Sequence, residues 1–125
     1  MVPVVTSETN GAAALPTADS WEWFTETARK RAPAWRNQVT LRTLEMLGEY
    51  EPGAYIDRIS PTPMLMVIAE RDHLTVADEA FAAYNRALEP KRLLILKGGH
   101  FDAYVNGFEQ SSRAARDWFI EHLTN

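Results

Sequence analysis

Residues 61–76 read PTPMLMVIAERDHLTV, and the fold turns on them. Met64 to Ala69 is a continuous apolar run with no polar alternation, which predicts a strand buried on both faces, as in a parallel sheet. The run stops abruptly at Glu70-Arg71-Asp72-His73. Thr75 and Asp78 then predict a helix-capping pair, and Ala77, Ala80, Phe81, Tyr84, Ala87 and Leu88 keep a 3.6-residue period up to Pro90. Leu93 to Leu96 predicts a second buried strand, with Gly98-Gly99-His100-Phe101-Asp102 as its exit loop. Phe108 opens a last amphipathic helix with Ala115, Phe119 and Leu123 on one face. Strand, helix, strand, helix predicts a small parallel α/β sheet (βαβα) joined by a right-handed crossover.

Upstream of Ser60 the chain has a different character. Residues 1–18 are small, punctuated by Pro and Gly, and read as an irregular segment with Val2 to Val5 extended. Residues 19–59 read as helical. Asp19 with Glu22 has capping-box spacing, Trp21, Phe24 and Ala28 form one apolar stripe, and Pro33 closes the helix. A second helix is predicted over Val39 to Tyr50, and a short helical piece over Ala54 to Ile59 after the Pro52-Gly53 turn. Residues 60–125 complete the division as the α/β part.

Composition narrows the function classes. A chain of 125 residues with 46% hydrophobic residues suffices for one domain's core. Thirteen basic against 17 acidic residues give a net charge of −4 without a basic run, which argues against a nucleic-acid partner. The absence of cysteine removes disulfides, thiolate metal sites and a cysteine nucleophile. No apolar run approaches the roughly 18 residues of a membrane span. Met1 to Leu15 holds no Lys or Arg, unlike a signal peptide, so a cytoplasmic location without a membrane partner is expected.

Chemistry in open α/β sheets collects at the carboxyl ends of the strands. Asp72 follows the first strand there and His100 follows the second, 28 residues later. Adjacent parallel strands bring these loops side by side, so an acid and an imidazole are predicted within hydrogen-bond reach. An aspartate that accepts from Nδ1–H fixes the imidazole tautomer and stabilises the imidazolium. Glu70 is the alternative acid but sits closer to the strand. His73 beside Asp72 makes a poor metal site, because adjacent loop residues rarely converge on one ion. Asp102 reads as a turn or cap residue, His122 as a cation at a helix end, and Arg29-Lys30-Arg31 as a solvated helix terminus. Trp21, Trp23, Phe24 and Trp35 read as packing residues or, more sharply, as the wall of an acyl or aromatic substrate pocket.

Two segments, PTPMLMVIAERDHLTV and KRLLILKGGHFDAY, resemble the C-terminal part of the α/β-hydrolase superfamily, in particular its dienelactone-hydrolase-like and acyl-peptidase-like members. In that superfamily the order is Ser, then Asp or Glu, then His, each on a loop after a strand. The resemblance, good over about Ser60 to Leu123, implies that Asp72 is the triad acid and His100 the base. It places the helices of 19–59 in the position of the variable cap. It implies a small-molecule ester or related acyl substrate, and no cofactor or metal.

The sequence departs from the family at the nucleophile. No G-x-S-x-G elbow occurs, and none of Ser7, Ser20, Ser60, Ser111 and Ser112 is flanked by glycines two residues away on each side. Gly98-Gly99-His100 follows the last strand and so is not an oxyanion loop of the HGG kind. The resemblance therefore implies a C-terminal portion bearing acid and base without the group they activate, inactive by itself. The alternative is a non-catalytic α/β interaction module that pairs with a partner through its exposed sheet edge; self-association through the exposed strand 64–69 is a separate expectation.

Overall fold

The computed structural model describes residues 1–8 and 10–124. The chain divides into two compact units, Met1–Glu51 and Pro52–Asn125.

The first unit holds α1 (Ala18–Lys30) and α2 (Leu41–Glu49). Its amino-terminal segment is tied down locally. Val2 and Val39 form an antiparallel bridge, and the Val4 and Val5 N–H groups both donate to Asn37 Oδ1 at 2.9 Å. Val2 thus spends its backbone pairing on Val39, and both valines at 4 and 5 are buried. The expected capping box at Asp19 is not formed. α1 begins two residues earlier than that cap implies, with Thr17 in the extended N-cap conformation and its hydroxyl 2.6 Å from that of Ser20. Asp19 falls in the first turn, where its charge suits the helix dipole and its Oδ1 accepts the Ser20 N–H. The second helix is shorter than Val39 to Tyr50, because Thr40 caps it by accepting the Thr43 N–H.

The second unit is the α/β part. A 3₁₀ helix over Pro52–Arg58 leads to β1 (Met64–Ala69), α3 (Ala77–Arg86), β2 (Lys91–Leu96), a 3₁₀ turn over His100–Tyr104, and α4 (Phe108–Leu123). β1 and β2 pair in parallel, from Met64 beside Lys91 to Ala69 beside Leu96. Strand alternation sorts the two faces. Met64 and Met66 pack against Ile56, Ala83 and Ala87, so α3 and the first 3₁₀ helix cover that face. On the opposite face Arg92 stacks on Trp118 of α4, its guanidinium 4.6 Å from the ring, and pairs with Glu121 at 2.9 Å.

Three expectations fail in detail. The strands are not buried throughout: Val67 remains 38% exposed and Ile95 48%, one on each face, because the single helix layer on each side leaves part of the run uncovered. Thr75 does not cap α3, whose N-cap is Val76 without a side-chain bond; its hydroxyl turns back to Asp72 instead. The buried position of α4 is Trp118, while Phe119 and Leu123 are exposed, so the apolar face is rotated from the predicted one. Among the described residues no helix is long and apolar enough to cross a membrane.

Candidate active site

The carboxyl ends of β1 and β2 are stitched together beyond the strands. Glu70 N–H donates to Leu96 O and Arg71 N–H to Gly98 O, each at 2.9 Å. These two bonds hold the loop of Asp72 against the loop of His100. Gly98 adopts φ +118°, a conformation that disfavours a side chain, and a Cβ there would run into the Asp102 carboxylate. That carboxylate accepts the Gly99 N–H at 2.7 Å and the Asn106 side-chain amide at 2.8 Å. Asp102 therefore ties down both flanks of the 3₁₀ turn that carries His100. The bonds from Asn106 and Gly99 hold its carboxyl below the usual aspartate value, against an opposing push from burial.

Asp72 is fixed with similar completeness. Its Oδ1 accepts the N–H groups of Leu74 at 2.9 Å and Thr75 at 2.8 Å, an Asx-type turn. Its Oδ2 accepts the Thr75 hydroxyl at 2.7 Å and lies 2.8 Å from His100 Nδ1. Burial alone pushes this carboxyl up, but the bonds from Thr75 and His100 outweigh it and hold the group below the ordinary aspartate value. An ionised carboxylate only accepts, so Nδ1 carries the hydrogen and Nε2 is left as the free base of a neutral ring. The side chains are 10% exposed for Asp72 and 23% for His100. The rings of Phe101 and Tyr104 stand edge-on to the imidazole, with centroids 4.8 and 6.3 Å away.

The other sequence candidates lie elsewhere. Glu70 and His73 are exposed, and among the described residues no three such side chains converge as metal donors. His122 packs edge-on against Trp118, centroids 4.0 Å apart. In the first unit, Phe24 and Trp35 pack with centroids 5.5 Å apart, and Arg31 lies over Trp23. Thr75 is the site residue that the sequence reading assigned elsewhere. Its signal was its place three residues after an aspartate, the spacing of a side-chain-bonded turn.

A parallel βαβα unit with an acid after one strand and a histidine after the next is the carboxyl-terminal arrangement of an α/β hydrolase. This chain is a carboxyl-terminal portion of that fold. The structure of an α/β hydrolase, GrgF from a Penicillium species, superposes with a TM-score of 0.77 at 25% identity, over 99% of this chain and 42% of that one. In sequence, a thiohydrolase of Eupenicillium brefeldianum is 30% identical over 102 residues, 81% of this chain and 33% of the relative. The thiohydrolase apmlB of Arthrinium phaeospermum is 36% identical over 80 residues, 62% of this chain and 25% of the relative. The chain thus spans a third or less of the length of these curated relatives. No family model matches it.

Proposed function

We propose that Asp72 and His100 are the acid and the general base of a serine-hydrolase site acting on ester or related acyl bonds of a small molecule. In this reading His100 Nε2 takes the proton of a serine hydroxyl as it attacks the acyl carbon. Asp72 holds the ring and stabilises the imidazolium that results. The base then returns the proton to the leaving alcohol or thiol, and water resolves the acyl-enzyme by the same route. The 2.8 Å bond between Nδ1 and Oδ2 is the observation that carries the reading. The name thiohydrolase, borne by two relatives, favours sulfur-linked acyl groups within that class. The setting is cytoplasmic, and the helices of 19–59 correspond to the cap.

With no G-x-S-x-G in its 125 residues, the chain by itself does not turn over. The test is hydrolysis of p-nitrophenyl esters and the matching thioesters. The subjects are the chain alone and the product of its gene extended upstream to any in-frame G-x-S-x-G. The chain alone is expected to show no rate above its His100→Ala control, and the extended product a rate that His100→Ala abolishes. An extended product indifferent to His100→Ala overturns the assignment. If no such reading frame exists, the second reading applies, a non-catalytic module that self-associates through the edge of residues 64–69. It is favoured by the pairing of β1 with β2 alone among the described residues.

A further inference from the structure

We propose that Thr75 is a positioning residue that moderates the hold of Asp72 on His100 by sharing the same carboxylate oxygen. Three atoms form a closed triangle. Thr75 Oγ lies 2.7 Å from Asp72 Oδ2, His100 Nδ1 lies 2.8 Å from that oxygen, and Oγ and Nδ1 are 3.2 Å apart. A carboxylate has no hydrogen to give, so both Thr75 and His100 donate to Oδ2. The hydroxyl's only hydrogen is thereby committed, and its lone pairs face Nδ1–H from the longer distance. Thr75 acts on the imidazole in two opposite senses. It withdraws electron density from the oxygen that holds the ring, and it offers a second, weaker acceptor to the same N–H. The shorter contact is the stronger, so competition outweighs help. The other titratable ring set against the imidazole, Tyr104, is edge-on with its centroid 6.3 Å away. The remaining oxygen, Oδ1, is anchored by the backbone N–H groups of Leu74 and Thr75, which any side chain at position 75 leaves in place.

The bearing of this device on catalysis rests on the acid–base reading above; the hydrogen-bond relation does not. The test is NMR of the full 125-residue chain as Thr75→Val, Thr75→Ala and Thr75→Ser, following the Nδ1–H proton of His100 and the carboxyl carbon of Asp72. Thr75 is exposed, so these changes spare the core. In the Val and Ala variants Nδ1–H is expected to move downfield, as Oδ2 accepts from it alone, and the Asp72 carboxyl to titrate at higher pH. The Ser variant is expected to restore both. An Nδ1–H resonance that stays in place, moves upfield or disappears in both Val and Ala variants overturns the proposal. That failure is separable from failure of the acid–base reading, which would appear as hydrolysis by the extended product indifferent to His100→Ala while these resonances of the 125-residue chain behave as expected.

Discussion

His100 Nδ1 and Asp72 Oδ2 lie 2.8 Å apart although 28 residues separate them in the chain. The contact exists because two parallel strands end together and their loops are pinned by the Glu70 and Arg71 amides. Which imidazole nitrogen carries the proton is set by the bond the ring makes through the other. In the neutral ring, nitrogen-15 spectra are therefore expected to show Nδ1 protonated and Nε2 bare. In Asp72→Ala that constraint is gone, and the Nε2–H form is expected to become populated. A tautomer that ignores Asp72→Ala would mean the bond does not govern the ring.

The His100 turn depends on Asp102 for both of its ties. Asp102→Ala leaves the Gly99 N–H and the Asn106 amide without their acceptor. The loss of these charge-assisted bonds is expected to cost about 1–3 kcal/mol. Amide exchange at Gly99 should quicken while exchange at the Met66 amide, inside the ladder, changes only with global stability. Unchanged Gly99 protection would show that the strand ends alone fix the loop.

Two glycines give opposite expectations for the same substitution. Gly98→Ala places a side chain at φ +118° and against the Asp102 carboxylate, and should cost about 1–3 kcal/mol. Gly48→Ala adds a methyl group into open space in the last turn of α2, and should be stabilising by about 0.5 kcal/mol. Chemical denaturation of the two variants measures both. Equal effects would contradict the backbone argument.

The βαβα order, the start of the last helix and the Asp72–His100 encounter were legible because each rests on a local signal. The apolar runs are uninterrupted, Gly98-Gly99 marks a turn, and parallel neighbours share a loop end. What escaped was set by tertiary contacts. Thr75 reads as a helix cap by spacing, yet the Asp72 carboxylate offers its hydroxyl a charged acceptor. Asp19 reads as the cap by its spacing to Glu22, but Thr17 holds the N-cap position and pairs its hydroxyl with that of Ser20. On α4 the stripe of Ala115, Phe119 and Leu123 reads as the packed one, yet the cation of Arg92 on β2 selects Trp118.

That selection predicts unequal costs for two neighbouring aromatics. Trp118 is buried and stacked on Arg92, so Trp118→Ala is expected to lose about 3–5 kcal/mol. Phe119 is exposed, and Phe119→Ala should change stability by about 0.5 kcal/mol. Thermal or urea unfolding distinguishes the two, and a larger loss at Phe119 would place the packed face where the sequence pattern put it.

Acid sensitivity at the site follows from its two lowered carboxyls. Asp72 and Asp102 both titrate below the ordinary aspartate value of about 3.9 in the folded chain. The unfolded state therefore binds protons first as pH falls, and each group's contribution is complete above that value. It is lost as pH drops through the lowered folded pKa. Stability should fall steeply below about pH 4, and the slope should flatten in Asp72→Asn/Asp102→Asn. An identical slope in the double variant would assign acid unfolding to other carboxylates.

The outer edge of β1 supplies the last test. Met64 and Glu70 direct their N–H groups toward β2, bonding Pro90 O and Leu96 O. By strand alternation the N–H groups of Leu65, Val67 and Ala69 point the other way, and β1 has no second ladder partner among the described residues. The run contains no Lys or Pro to deter pairing. Under the self-association reading, protection of Leu65, Val67 and Ala69 should rise with protein concentration, in step with sedimentation. Protection of Met66 and Ile68, inside the β1–β2 ladder, should already be high in dilute solution. Val67→Lys, at a position already 38% exposed, should abolish the concentration dependence while leaving the ladder amides protected. A monomer at every concentration with rapid exchange at the three outward amides would refute association through this edge.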